Sequence, residues 1–255
     1  MTRAEFRKRL DQLRKVITRG LSCYAAWTNV LLHYEGKISW SLEEHTRVLD
    51  RFQGFFGPVG FALRHMALIE FNKVFDADPK AVSLWNLLGA ARRDTSLVSG
   101  RTSAEVDAVS KQFRQSRKML TALKRMRDQR LAHVDANPAP VDSILKKDFD
   151  YLVEHVVSAF NWLSTAHDGR VMNWDYSVQK VERHTTDVLA ILREEMERKQ
   201  KEYREEMVRI VLEEIQYREM LAGRRLSGQE MRSLEQSYGL TKEEMHRVQE
   251  ERGST

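Results

Sequence analysis

Apolar residues recur at three- and four-residue intervals along most of this chain, and that period commits it to α-helix. Near the N-terminus Phe6, Leu10, Leu13, Val16 and Ile17 form one stripe, which Cys23, Trp27, Val30 and Leu31 continue. Only 4 Pro and 12 Gly occur in 255 residues, and runs of β-branched residues are scarce, so local chemistry does not favour sheet. The spacing predicts a first helix over 3–34, bent at Gly20 and stopped at Gly36. Ser41, with Glu44 three residues on, reads as a capping box opening a second helix.

The most apolar segment runs from Phe52 to Phe75. Gly54, Gly57, Pro58 and Gly60 interrupt its start, and the residues from Phe61 to Phe75 predict a central helix buried on several sides. Asp76-Ala77-Asp78-Pro79 ends it, and Ser83 caps a short helix with Leu84, Trp85, Leu87 and Leu88. Thr102 and Glu105 form another capping box. The helix they open carries Val106, Val109, Phe113, Met119, Leu120, Leu123 and Met126. It is expected to end soon after His133, where Asp135, Pro138 and Pro140 follow. A further amphipathic helix covers about 147–166, and a long one about 174–219. The latter turns to alternating charge between Arg193 and Glu206, where i,i+4 pairs can support a helix in water. Gly223 and Gly228 break it, and two short helices follow, near 227–238 and 241–250. The expected architecture is all-α: an up-and-down helical bundle over 1–192 with a long, charged C-terminal helical arm over 193–255.

Several function classes drop out. The single cysteine, Cys23, excludes an internal disulfide, suits a reducing compartment and reads as a small buried hydrophobe. The first 20 residues are charged throughout, and no run approaches the ~20 apolar residues of a membrane span, so the expectation is a cytoplasmic protein with no membrane partner. The 8 histidines are scattered, with no His-x3-His, so no metal and no cofactor is expected. His65, within the most apolar helix, reads as a satisfied core histidine, and Asp76 as a helix-end or loop-capping carboxylate. The 5 Trp sit at apolar helical positions and read as core or dimer contacts.

The net charge of +5 understates one region. Between Arg101 and Arg130 the basic residues are Arg101, Lys111, Arg114, Arg117, Lys118, Lys124, Arg125, Arg127 and Arg130, against the acids Glu105, Asp107 and Asp128. Such a helix suits a phosphate backbone through counterion release, which makes RNA a candidate partner and Arg117, Lys118, Lys124, Arg125 and Arg130 candidate phosphate contacts. The competing reading is a solvated face packed near the acidic arm.

The helix leads into Arg127-Asp128-Gln129-Arg130-Leu131-Ala132-His133. A six-residue offset rotates about 240° on an ideal helix, so Arg127 and His133 do not share a face. They converge only if the helix deforms near His133 or if a second copy of the chain supplies the other half. His moves protons near neutral pH, and Arg, always charged, holds phosphate oxygens bidentately. Together they suit metal-free RNA cleavage by attack of the ribose 2′-OH, with Asp128 able to orient Arg127 or His133. The bland alternative is a His near a helix C-terminus, favoured by the macrodipole.

On these residues the chain resembles the HEPN superfamily, whose hallmark is Arg followed by Asn, Asp or His and then by His after four to six intervening residues. It resembles more closely the HEPN subgroup found in bacterial abortive-infection proteins. Three stretches carry the likeness: Ala67 to Asp76, Ser83-Leu84 with Leu87-Leu88, and Arg127 to Asp135. The resemblance covers roughly 20–192 and leaves out the arm. It implies a helical bundle, a homodimer joining two motifs in one cleft, and metal-independent endoribonuclease activity with Arg127, Asp128 and His133 at the site. It also implies a toxin or antiviral-defence role, with an antitoxin or defence partner protein. Some members of the superfamily bind without cutting, so a non-catalytic helical RNA-binding or protein-interaction module is the alternative. A third reading makes the chain a coiled-coil protein driven by 177–219.

Overall fold

In the computed structural model the described residues are 1–31, 41–115, 117–126 and 146–254. All regular structure among them is helical, and they divide into two compact units, Met1–Leu189 and Ala190–Thr255.

The first unit is built on α1 (Arg3–Leu31), α2 (Leu42–Arg51), α3 (Gln53–Val74), α4 (Leu84–Arg93), α5 (Ser103–Gln115), α6 (Arg117–Met126), α7 (Lys146–Asp168) and the start of α8 (Trp174–Ala222). A 3₁₀ turn, Thr95–Leu97, follows α4. The helix starts follow the sequence chemistry. Ser41 and Glu44 exchange hydrogen bonds at α2, Ser83 Oγ accepts the Asn86 N–H at α4, and Thr102 and Glu105 form the box at α5. The core gathers Phe6, Leu13 and Ile17 of α1 with Phe71 and Val74 of α3, Leu84 and Leu87 of α4, Phe113 of α5, Leu123 of α6 and Leu152, Phe160 and Leu163 of α7. Its aromatic pairs meet tilted or edge-on: Phe71 with Phe149 at 5.3 Å, Tyr24 with Phe149 at 4.9 Å.

Two expectations about glycine change here. α1 runs through Gly20 without a break, because Gly20 serves contact rather than bending. A Cβ placed there would lie 2.9 Å from Cε2 of Phe71 and 3.4 Å from Cβ of Glu70, so the missing side chain lets α3 approach α1. One residue away, Arg19 joins Glu70 at 3.1 Å, and Lys73 joins it at 2.7 Å, which pairs a carboxylate only 3 % exposed. Gly54, Gly57, Pro58 and Gly60, expected to interrupt the third helix, lie inside α3, with Pro58 forgoing one backbone donor. Nor is α3 buried along its whole length. Ala67, Leu68, Phe71 and Val74 are buried, whereas Phe55 and Phe61 are exposed. His65 is likewise no core residue: it is half-exposed, stacked on Phe61, with Nδ1 against the Phe61 carbonyl at 2.6 Å. Cys23 packs half-buried against the core, and burial pushes its thiol up, which keeps it protonated and unreactive.

The second unit holds the rest of α8 with α9 (Gly228–Tyr238) and α10 (Lys242–Ser254). It is more than a charged arm. Val208, Val211 and Ile215, at i, i+3 and i+7 on α8, close a core with Leu226, Met231, Leu234, Leu240, Met245 and Val248. Ser227 and Glu230 form a capping box at α9, and Gly239 turns the chain out of that helix at φ +60°. Thr241 and Glu244 repeat the box at α10. Glu219 accepts the Leu226 N–H at 2.7 Å and pairs with Arg252. No helix of the described residues is long and apolar enough to cross a membrane.

Two tests follow from this packing. Gly20→Ala gains about 1 kcal/mol of helix propensity, but forcing a methyl against Phe71 costs about 1–3 kcal/mol. The variant should therefore melt lower, with a net loss of about 1 kcal/mol; a raised midpoint would show that α1 and α3 have room at Gly20. In the second unit the Arg224 guanidinium, then the Ser227 hydroxyl and N–H, hold Glu230 at about 2, below its ordinary 4.5. The Leu226 N–H lowers Glu219, and the Thr241 N–H lowers Glu244. Because the folded values lie below the unfolded ones, the stabilisation is complete above pH 4.5 and is lost as pH falls toward 2. Thermal unfolding of the full chain across that range should show a shallower acid loss for Glu230→Gln than for the unaltered protein. Parallel curves would mean that the Arg224–Glu230 pair contributes nothing.

Candidate functional site

The site begins where α3 stops. Phe75 caps the helix, its N–H reaching the Asn72 carbonyl at 3.1 Å. The next residues fold through side-chain-to-backbone bonds. Asp76 Oδ1 accepts the Asp78 N–H at 3.0 Å, and Asp78 Oδ1 accepts the Lys80 N–H at 2.8 Å. These are successive Asx turns, so Asp76 is the loop-capping carboxylate its position implied. Asn86, in the first turn of α4, ties the loop down from outside: its Nδ2 donates to the carbonyls of Asp78 at 2.7 Å and Ala81 at 2.8 Å. A short aspartate-rich loop is thereby held rigid against a helix N-terminus.

Below the loop three rings meet edge-on: Phe75 and Trp85 at 5.8 Å, Phe75 and Phe113 at 5.2 Å, Trp85 and Phe113 at 5.6 Å. Phe113 is buried, and the other two are half-exposed. α6 closes the far side. Its Ala122, Leu123 and Met126 are buried, while Lys118, Thr121, Lys124 and Arg125 face outward. Between loop, rings and helix lies an open groove of about 510 Å³, lined by Asn72, Phe75, Asp76 and Asp78 on the α3 side, Trp85 on α4, and Leu120, Thr121 and Lys124 on α6.

The charge on this side of the molecule is distributed unevenly. Glu105 is committed to its own helix: the Thr102 N–H and hydroxyl, then Arg101, hydrogen-bond to it and hold it below the usual carboxylate range. Asp107 pairs with Arg92 at 3.0 Å. Lys118, Lys124 and Arg125 make no ion pair with a described carboxylate, and spacings of three and seven residues put Lys118, Thr121 and Arg125 along one outward face of α6. Two of the candidate phosphate contacts, Lys118 and Arg125, therefore share one exposed helical face, and Lys124 is exposed on another side of the same helix. For Arg117 the structure describes only the backbone, as the first residue of α6. Arg127, Asp128, Arg130 and His133 lie outside the described residues, as does the expected helix end at Asp135 to Pro140. The helix expected to run from Thr102 past His133 is described as α5 and α6, with Ser116 between them not described. Among the described residues no three His, Cys, Asp or Glu side chains converge as a metal site would require.

Asp78 and Trp85 were not singled out for function from sequence. Asp78 stood in a helix-breaking stretch and Trp85 at an apolar helical position; the only sequence sign of the groove is the Asp-x-Asp-Pro spacing ahead of the Ser83 cap.

The loop's rigidity depends on Asn86. Replacing it with Ala leaves the carbonyls of Asp78 and Ala81 without that donor and should cost about 1–2 kcal/mol. Hydrogen exchange at the Lys80 and Ala81 amides should speed up while the Phe71 amide stays protected. Unchanged exchange at Lys80 would mean that the Asx turns alone hold the loop.

Compared with known proteins, residues 3–187 match the family model HEPN_AbiU2, described as AbiU2. No curated protein and no solved structure matches the chain.

Proposed function

The chain belongs to the HEPN_AbiU2 family, a HEPN-type family from abortive-infection proteins, and from that premise we propose that it is a metal-independent endoribonuclease acting as a toxin or phage-defence effector. The observation that carries the reading is the complete Arg127-Asp128…His133 pattern inside the matched span, 3–187. The exposed cations of α6 that lead into it, Lys118, Lys124 and Arg125, support the same reading.

The reaction needs no metal in this proposal. The ribose 2′ oxygen bonds to the adjacent phosphorus, the bond from phosphorus to the 5′ oxygen of the next nucleotide breaks, and a 2′,3′-cyclic phosphate and a 5′-hydroxyl result. The proton of the 2′-OH leaves, and another reaches the departing 5′ oxygen; His133 handles the proton at one of these oxygens. The Arg127 guanidinium stabilises the charge that builds on the non-bridging oxygens, and Asp128 orients Arg127 or His133. Lys118, Lys124 and Arg125, with Arg117 and Arg130, neutralise flanking phosphates. Arg127 and His133 are six residues apart, which favours a homodimer in which two motifs complete one cleft, and a toxin of this kind calls for an antitoxin partner.

Single-stranded RNA incubated with the protein in EDTA should be cut, leaving cyclic phosphate or its hydrolysis product, and His133→Ala should not cut. RNA with 2′-deoxy nucleotides should resist. Absence of cleavage by protein freed of any co-purifying partner would sink the nuclease reading. The exposed cations of α6, which make no ion pair among the described residues, also favour a second reading, an RNA-binding module without chemistry. Both readings predict steep salt dependence of binding, with the slope reduced by about one for Lys124→Glu. Only the nuclease reading predicts loss of product with His133→Ala.

A further inference from the structure

The groove beside α6 combines three features that its role in the fold does not require. Its floor carries two half-exposed rings, Phe75 and Trp85, locked by their edge contacts with buried Phe113. One wall carries Asp76 and Asp78 on a loop fixed by its own Asx turns and by Asn86. From α6 the groove is lined by Lys124, exposed and with no ion pair to Asp76, Asp78 or any other described carboxylate. At about 510 Å³ the groove has room for one nucleotide.

The carboxylates decide which way a nucleotide can enter. A phosphate is repelled by the aspartate wall and attracted by Lys124, so the base must point toward Asp78. Asp78 is exposed; one of its oxygens takes the Lys80 N–H, and each carboxylate oxygen has a second lone pair. A carboxylate only accepts hydrogen bonds. The base edge that best suits it offers two parallel N–H donors, and guanine does so through N1–H and its exocyclic amino group. Uracil offers one donor flanked by carbonyls, which a carboxylate repels. Aromatic side chains supply the face on which an unstacked base rests. Lys124 lies three residues before Arg127 in sequence.

We propose that this groove is a guanine-reading subsite, in which Asp78 accepts hydrogen bonds from the Watson–Crick edge of a single-stranded guanosine, Trp85 and Phe75 cradle its ring, and Lys124 takes its phosphate. The proposal rests on the RNA reading above and deepens it by naming the nucleotide. Asp78 and Trp85 are specificity residues here; neither takes part in bond breaking.

The test is binding of three fluorescent hexaribonucleotides to full-length protein carrying His133→Ala: hexauridylate, the same with one central guanosine, and the same with inosine in that place. The guanosine oligomer should bind about ten-fold tighter than hexauridylate, with inosine, which keeps N1–H and lacks the amino group, in between. Asp78→Asn keeps an oxygen for the Lys80 N–H but puts an amide N–H₂ where an acceptor stood. It should reduce the preference to within about two-fold, with unchanged thermal unfolding. Trp85→Leu should weaken guanosine binding while leaving hexauridylate unchanged. Equal affinity for all three oligomers, or a guanosine preference that survives Asp78→Asn, overturns the proposal. Cleavage by the unaltered protein separates the two readings. Cutting without guanosine preference removes the subsite and leaves the nuclease. Preference without cutting removes the nuclease and leaves the subsite. Failure to bind any of the three removes both.

Discussion

The tight contact between α1 and α3 at Gly20, where a Cβ would lie 2.9 Å from Phe71, is the contact on which the packing around the groove depends. Without a side chain at residue 20 the two helices come close, with Phe71 also meeting Phe149 on α7 and Arg19 meeting Glu70. Those contacts set where the C-terminal end of α3 lies. Phe75 and the Asp76–Asp78 loop begin there, so the groove's rings and carboxylates take their position from a contact that lines no part of it. Interiors packed like molecular crystals transmit such constraints, because neighbouring side chains have no slack to absorb a shift.

Local chemistry was legible in the sequence and non-local chemistry was not. The capping boxes at Ser41 and Thr102 were readable because donor and acceptor sit three residues apart and need nothing else; those at Ser227 and Thr241 have the same spacing and were seen only in the structure. Gly20 was read as a bend because a glycine that flexes a helix and one that admits a neighbour look the same along the chain; only Phe71, 51 residues away, distinguishes them. The glycines and Pro58 near the start of α3 looked like an interruption, yet the helix runs through them, and local propensity is the weaker influence when flanking turns are already formed. The charged stretch of α8 hid the stripe of Val208, Val211 and Ile215 that follows it, so the second unit's own core was missed.

The candidate site divides along the same line. Its basic character was visible as a count of charges, and α6 does carry Lys118, Lys124 and Arg125 outward. The count alone could not say which charges are cancelled. Asp107 is taken by Arg92 and Glu105 by the start of its own helix, so the two described acids of the segment pair outside α6. Asp78 and Trp85, by contrast, come together only through the turn between α3 and α4, and no periodicity marks such a meeting.

An acidic edge at a nucleic-acid surface looks like a defect if affinity is the only quantity considered, since every carboxylate near a phosphate weakens binding. Affinity of that kind is indifferent to sequence: in the RNA reading proposed above, Lys118, Lys124 and Arg125 hold any strand equally well. Discrimination needs groups that reward one base edge and penalise the others, and an acceptor-only side chain held rigidly beside a cation does both. Rigidity matters as much as charge. A mobile aspartate would turn away from an unsuitable base, whereas one fixed by the Lys80 N–H, with its backbone carbonyl held by Asn86, leaves a mismatched edge facing an unsatisfied acceptor. In the proposed subsite the Asx turns that follow α3 thus give the loop the stiffness that selectivity requires, and α6 supplies the cation.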